Sequence, residues 1–208
     1  ILTNESLKTI ELDMIQLLPL SKPVQTTKDY KAYLIRTLLN RLFKMRMNAW
    51  AFENPSYKKA SIQYSSFLNA TGVLLCSVEL LPGKMEKGIS EFIAQQEQIF
   101  RYGFTRAEIE RAKKVIYNNL ENKLQNQQNP TSIELMNDVY ADFYVGNRFT
   151  SLQEEYQLVQ LYFPEIDSVA LARNLAKVYS PRKMHYLLRA NEKADKEGGG
   201  DMTLMAII

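Results

Sequence analysis

Arg101-Tyr102-Gly103-Phe104-Thr105-Arg106-Ala107-Glu108-Ile109-Glu110-Arg111-Ala112-Lys113 joins two helices and constrains how the chain on either side folds. Upstream, Ile89, Phe92, Ile93, Ile99 and Phe100 recur at helical spacing, predicting a helix from about Met85 to Tyr102 with those side chains inward. Gly103 stands where the residue after a helix takes positive φ, which glycine adopts without steric cost. Thr105 and Glu108 have the Thr-x-x-Glu spacing of a capping box, in which each side chain satisfies a backbone N–H left free at a helix start. Phe104, just before the cap, predicts a hydrophobic staple onto Ile109. The second helix continues through Ala112, Ile116, Leu120 and Leu124 into a Gln/Asn-rich end.

Towards the N-terminus the period changes. Ile10, Leu12 and Met14 alternate with Glu11 and Asp13, predicting a half-buried strand that Pro19 and Ser21-Lys22-Pro23 break. From 28 to about 49, Leu34, Leu38, Leu42 and Met45 line one helical face, and Ile35, Leu39 and Phe43 widen it, as expected of a helix packed on a sheet. Asn54-Pro55-Ser56 ends that helix region. Runs 62–68 and 73–81, joined by Asn69-Ala70-Thr71-Gly72, predict a β-hairpin. Apolar residues on both parities of the second run predict burial on both faces.

Towards the C-terminus two further boxes, Thr131 with Glu134 and Ser151 with Glu154, open helices. The first carries Met136, Val139, Tyr140 and Phe143, the second Leu158, Val159 and Tyr162; Gly146 and Pro164 stop them. Asp167 caps a last short helix through Leu175 and Val178, and 184–188 reads as a final strand. Strand, helix, two strands, several helices, strand is an α+β order. It predicts a mixed, mostly antiparallel sheet with helices layered on one face. Residues 1–190 form one domain; 191–201, centred on Gly198-Gly199-Gly200, reads as a linker. The apolar stretch Met205-Ala206-Ile207-Ile208 then reads as the start of a following domain, and the chain as a piece of a larger protein.

Composition removes whole classes of chemistry. The 208 residues contain one histidine, His185, and one cysteine, Cys76, so no zinc finger, Cys-x-x-Cys pair or His-x-x-Glu-His site can be built. An intrachain disulfide is likewise excluded. The 26 Lys and Arg against 23 Asp and Glu leave a formal charge of +3, too small and too interspersed for nucleic acid or an anionic membrane surface. No run reaches the ~18 apolar residues of a membrane helix. His185 in the last strand reads as structural or surface, and Cys76 in the hairpin as a small hydrophobe. Glu108 beside Glu110 is explained by capping, and the basic cluster Arg106, Arg111, Lys113 and Lys114 by a solvated helix face. No glycine spacing fits a phosphate cradle, and Asn69-Ala70-Thr71 fits a glycosylation sequon that such triplets often meet by chance.

The junction from Arg101 to Lys113 resembles the Gly-Phe-Thr-x-x-Glu-Leu-x-x-Ala-Lys segment of the pitrilysin/insulinase family of zinc metallopeptidases. Other pieces fall in family order. Residues 42–46, Leu42-Phe43-Lys44-Met45-Arg46, resemble the end of the long first helix. Glu53-Asn54-Pro55 and the hairpin follow, then the 129–146 helix ending Tyr-x-x-Phe-Tyr-x-Gly, and the 161–169 turn. The resemblance spans about residues 10–190 and implies a mitochondrial-processing-peptidase-like domain, one of a set of similar α+β units. In that family the zinc-binding half carries His-x-x-Glu-His on its first helix. Here that helix holds Asn40-Arg41-Leu42-Phe43-Lys44, so neither metal ligand nor base carries over. The family's distal half uses an Arg and a Tyr seven residues later on substrate. Arg46 is the nearest match to that Arg, but Glu53 stands seven residues on, and Tyr57 is the nearest later Tyr.

The resemblance therefore implies a non-catalytic domain following the catalytic one, inactive alone, with no catalytic residue, metal ligand or cofactor of its own. Zinc belongs to the parent's catalytic domain. Arg46 and Tyr57 are the candidate substrate contacts. Its partners are that catalytic domain and, through the parent, peptide substrates; cut from the parent, it is expected to expose an apolar patch or self-associate. Family resemblance leans towards a bacterial periplasm or cell envelope. Two other readings stand: a scaffold domain of a catalytically dead homologue resembling respiratory core subunits, and a complete small binding module.

Overall fold

A five-stranded sheet carries the domain. The computed structural model describes residues 2–3, 9–53, 55–67, 71–125, 132–148 and 150–190. Among them β1 (Leu2–Thr3), β2 (Ile10–Leu18), β3 (Tyr57–Phe67), β4 (Thr71–Leu80) and β5 (His185–Ala190) lie in the order β1-β5-β2-β4-β3. β1 runs parallel to β5 and every other neighbour is antiparallel, which is the mixed, mostly antiparallel sheet expected. The helices are α1 (Thr27–Ala51), α2 (Met85–Tyr102), α3 (Arg106–Gln125), α4 (Ser132–Phe143), α5 (Leu152–Tyr162) and α6 (Ser168–Val178).

Strand alternation places the core. Leu12, Met14, Leu74, Cys76, Val78 and Leu188 all point to one face, where they are buried with Leu38, Phe43, Ile89, Phe92 and Ile99 from α1 and α2. On the other face Val73, Leu75, Ser77 and Glu79 are only half-buried, so β4 is covered on one side, not on both as its composition predicts. Among the described residues α1 and α2 pack directly on β3 and β4, and α3 and α5 pack on α1, so the second face of the sheet is left open. β3 begins at Tyr57, earlier than its apolar run, because Lys58 and Lys59 sit on an exposed edge with an irregular register and need no apolar partner. Burial raises the thiol pKa of Cys76 far above its ordinary value.

The helix ends follow their sequence signals. Gly103 has φ +69° and its N–H donates to the Ile99 carbonyl at 2.8 Å. The Glu108 carboxylate accepts from the Thr105 N–H at 2.8 Å, and the Glu108 N–H donates to Thr105 Oγ1 at 3.3 Å, closing the predicted box. Phe104 and Ile109 are both buried. Ser151 and Glu154 form the same box on α5, and Asp167 Oδ1 accepts from the Ala170 N–H at 2.8 Å on α6. A further box, Thr26 with Asp29, starts α1 slightly before the periodic run. Residues 68–70 of the hairpin turn, which include Asn69 and Ala70 of the sequon, Thr131 and the side chain of Glu134, the linker and the terminal apolar stretch lie outside the described residues.

Candidate functional site

The position where a metal would be expected is α1. Its buried face consists of Tyr30, Leu34, Leu38, Leu39, Leu42, Phe43 and Met47, with no nitrogen, sulfur anion or carboxylate to hold a cation. His185 is exposed at the start of β5, and Cys76 is sealed under the helix layer. Among the described residues no three of His, Cys, Asp and Glu come together. The donor set does not fit zinc, and no step of a metal-assisted hydrolysis runs through these side chains.

Arg46 and Tyr57 are both engaged within the domain. Arg46 Nε and Nη2 donate to Glu108 Oε1 and Oε2, each at 2.6 Å, a two-pronged pair with side chains 14% and 26% exposed. The guanidinium also lies 5.1 Å from the Phe104 ring centre and 5.5 Å from that of Trp50. Partial burial pushes the Glu108 carboxyl up, but the hydrogen bonds from Arg46 and Thr105 outweigh it and hold the group below its ordinary range. Glu108 thus caps α3 and ties α1 to it, a second role that its capping spacing does not reveal. Tyr57 is 2% exposed; its hydroxyl donates to Gln95 Oε1 at 2.5 Å and its ring meets Phe92 edge-on.

Outside the core, among the described residues, the most extensive exposed apolar feature is α4. Ile133, Met136, Val139, Tyr140, Phe143 and the following Tyr144 are each more than half exposed. Six such side chains expose on the order of 600 Å² of apolar surface, at or above the largest patch of an ordinary monomer. The arm is anchored at its C-terminal end. There the Val24 N–H donates to Asn147 Oδ1 and the Arg148 N–H to the Val24 carbonyl, each at 2.8 Å, while Gln25 Nε2 donates to the Gly146 carbonyl. Gly146, at φ +74°, makes the turn that brings Asn147 to Val24. Between this latch and α5 lies an open cleft of about 590 Å³, lined by Thr26, Tyr30, Arg148, Leu158 and Leu161 among others.

The open face of the sheet has two ends. At one, Asp13 accepts from Ser77 Oγ at 2.6 Å and from Arg189 Nη2 at 2.7 Å, and the same Nη2 lies 2.8 Å from Glu11. Register brings these together, since Asp13 faces Ser77 across one ladder and Glu11 faces Arg189 across the other. At the other end, the half-buried Ile15, Val73 and Leu75 adjoin Leu17 and Phe67, exposed by 58% and 60%. Neither the network nor the apolar end is visible in sequence, because both depend on strand order.

Comparison with known proteins speaks to the fold. No family model matches the sequence, and no curated protein matches it. Among solved structures, the chain superposes over 99% of its length on 23% of the periplasmic protease PqqL from Escherichia coli, with a TM-score of 0.89 at 16% identity. It is similar over 91% of its length to 42% of a peptidase M16 inactive domain from Pseudomonas fluorescens, with a TM-score of 0.64 at 14% identity. A chain of complex III2 from Candida albicans matches 94% of it with 48% of its own length, at a TM-score of 0.57 and 13% identity. The chain spans less than half the length of each of these. The resemblance carried by Gly103-Phe104-Thr105 and its surroundings is therefore matched in three dimensions: the chain has the fold of a pitrilysin/insulinase-type (M16) peptidase domain.

Proposed function

We propose that this domain is a non-catalytic wall of a pitrilysin-like zinc endopeptidase, seating the apolar face of α4 on another domain of its parent and helping to enclose peptide substrates. The observation that carries the proposal is the stripe from Ile133 to Phe143, apolar and uncovered on a domain whose fold recurs as part of longer proteases. The metal and the water-activating base lie elsewhere in the parent, and the domain alone holds no zinc and cleaves no peptide. Metal analysis and a peptidase assay on the chain test this. One tightly held zinc per chain, lost on His185→Ala, overturns it.

Substrate contact at Arg46 or Tyr57 requires the guanidinium to leave Glu108 or the phenol to leave Gln95. In the parent, Arg46→Lys separates the two roles. Weaker peptide binding at unchanged stability marks a substrate contact, and parallel loss of both marks a junction residue. The periplasm or cell envelope is the compartment proposed, on the likeness to a periplasmic protease; no helix among the described residues is long and apolar enough to cross a membrane. The likeness to a complex III2 chain supports a second reading, a scaffold domain of a catalytically dead homologue. A parent reading frame with His-x-x-Glu-His upstream of Ile1 decides for the protease, and one without it for the scaffold.

A further inference from the structure

β3 is an edge strand among the described residues, eleven residues long and free of proline. Such an edge offers a row of backbone donors and acceptors to any other strand, and two copies of it across a two-fold axis are self-complementary. Its first half carries a charged guard, Lys58 and Lys59, both exposed. The second half, from Ser61 to Phe67, has no charge. There α1 reaches over: Asn40 Nδ2 donates to the Tyr64 carbonyl at 2.8 Å, and the Tyr64 N–H donates to Asn40 Oδ1 at 2.8 Å.

One carboxamide thus takes both backbone groups of a single residue, as a neighbouring strand would. Tyr64 faces Leu74 on β4, and both its backbone groups turn to Asn40, so they point to the outer side of the sheet. By strand alternation the backbone groups of Ile62 and Ser66 point the same way. One helical turn before Asn40, the Arg36 guanidinium lies 5.9 Å from the Tyr64 ring centre and holds the same residue by its side chain. We propose that Asn40 is an edge plug: it occupies the outward backbone of Tyr64 in place of a strand and so prevents β3 from pairing with the β3 of a second copy of this chain.

The test compares wild type, Asn40→Ala and the double variant Asn40→Ala/Ser66→Pro by sedimentation velocity over a wide concentration range, with amide exchange read at Tyr64. Proline at 66 removes an outward N–H that the β4 ladder does not use, so it blocks a new strand without unmaking the old one. Asn40→Ala is expected to keep its circular dichroism and to lose protection at the Tyr64 amide by about tenfold or more. It is also expected to associate more strongly than wild type, and the added proline to abolish the excess. Association through α4 is present equally in all three and is not reversed by proline, so it cannot imitate this pattern. A folded Asn40→Ala that associates no more than wild type, or whose excess survives the proline, overturns the proposal. Should alanine prevent folding, Asn40→Ser, which is too short to reach both groups, is read against the same outcomes.

Discussion

The junction between α2 and α3 and the arm formed by α4 are written in the same sequence grammar, yet they end differently. Each places aromatic residues at helical spacing beside a glycine stop. At the junction, Phe104 packs 5.9 Å from the Phe43 ring and under the Arg46 guanidinium, and Glu108 binds both α1 and the start of α3. On α4, Phe143 is 77% exposed. Amphipathic spacing makes a helix and gives it an apolar side. Whether that side is covered depends on what stands opposite, and for α4 nothing described does.

The largest expected effect falls at the junction. Phe104→Ala removes a buried ring and is expected to cost about 3–5 kcal/mol of stability in urea unfolding. A cost comparable to that of a surface change would mean that the junction is not packed in solution. Next comes Glu108→Ala, which strands a partly buried guanidinium and removes a cap, for about 2–4 kcal/mol. Because the folded carboxyl is held below its unfolded value, its contribution is complete above the ordinary Glu range near about 4.3 and is lost as pH falls through the folded pKa. The wild type is therefore expected to lose more stability on acidification than Glu108→Gln; identical acid profiles for the two would remove this linkage. The smallest effect is on the arm. Phe143→Ala is expected to change the stability of the chain by no more than about 0.5 kcal/mol. The same change in the parent is expected to weaken domain association and peptidase activity. A stability loss in the isolated chain equal to that of Phe104→Ala would show the arm already packed within it.

Local signals were the legible ones. The Thr105–Glu108 and Ser151–Glu154 boxes, the Gly103 stop and the alternation in β2 each depend on side chains a few residues apart, so spacing alone determines them. The Thr26–Asp29 box carries a fainter signal, because the apolar run begins after it. The apolar residues of β4 overstate its burial, because Val73 and Leu75 show an apolar face without saying what lies against it. For the candidate site, composition limits the histidine and cysteine inventory to His185 and Cys76, but it does not reveal what engages Arg46, since that partner lies 62 residues away. The Val24–Asn147 latch, 123 residues apart, was invisible for the same reason.

Cys76 gives this fold its own reporter of opening. The thiol sits in the middle of β4, fully buried, opposite Met14 on one side and Ile62 on the other. A thiol reagent can reach it only after the helix layer has parted from the sheet. Its rate of labelling in the native protein therefore counts how often the whole domain comes apart, and is blind to any swing of α4.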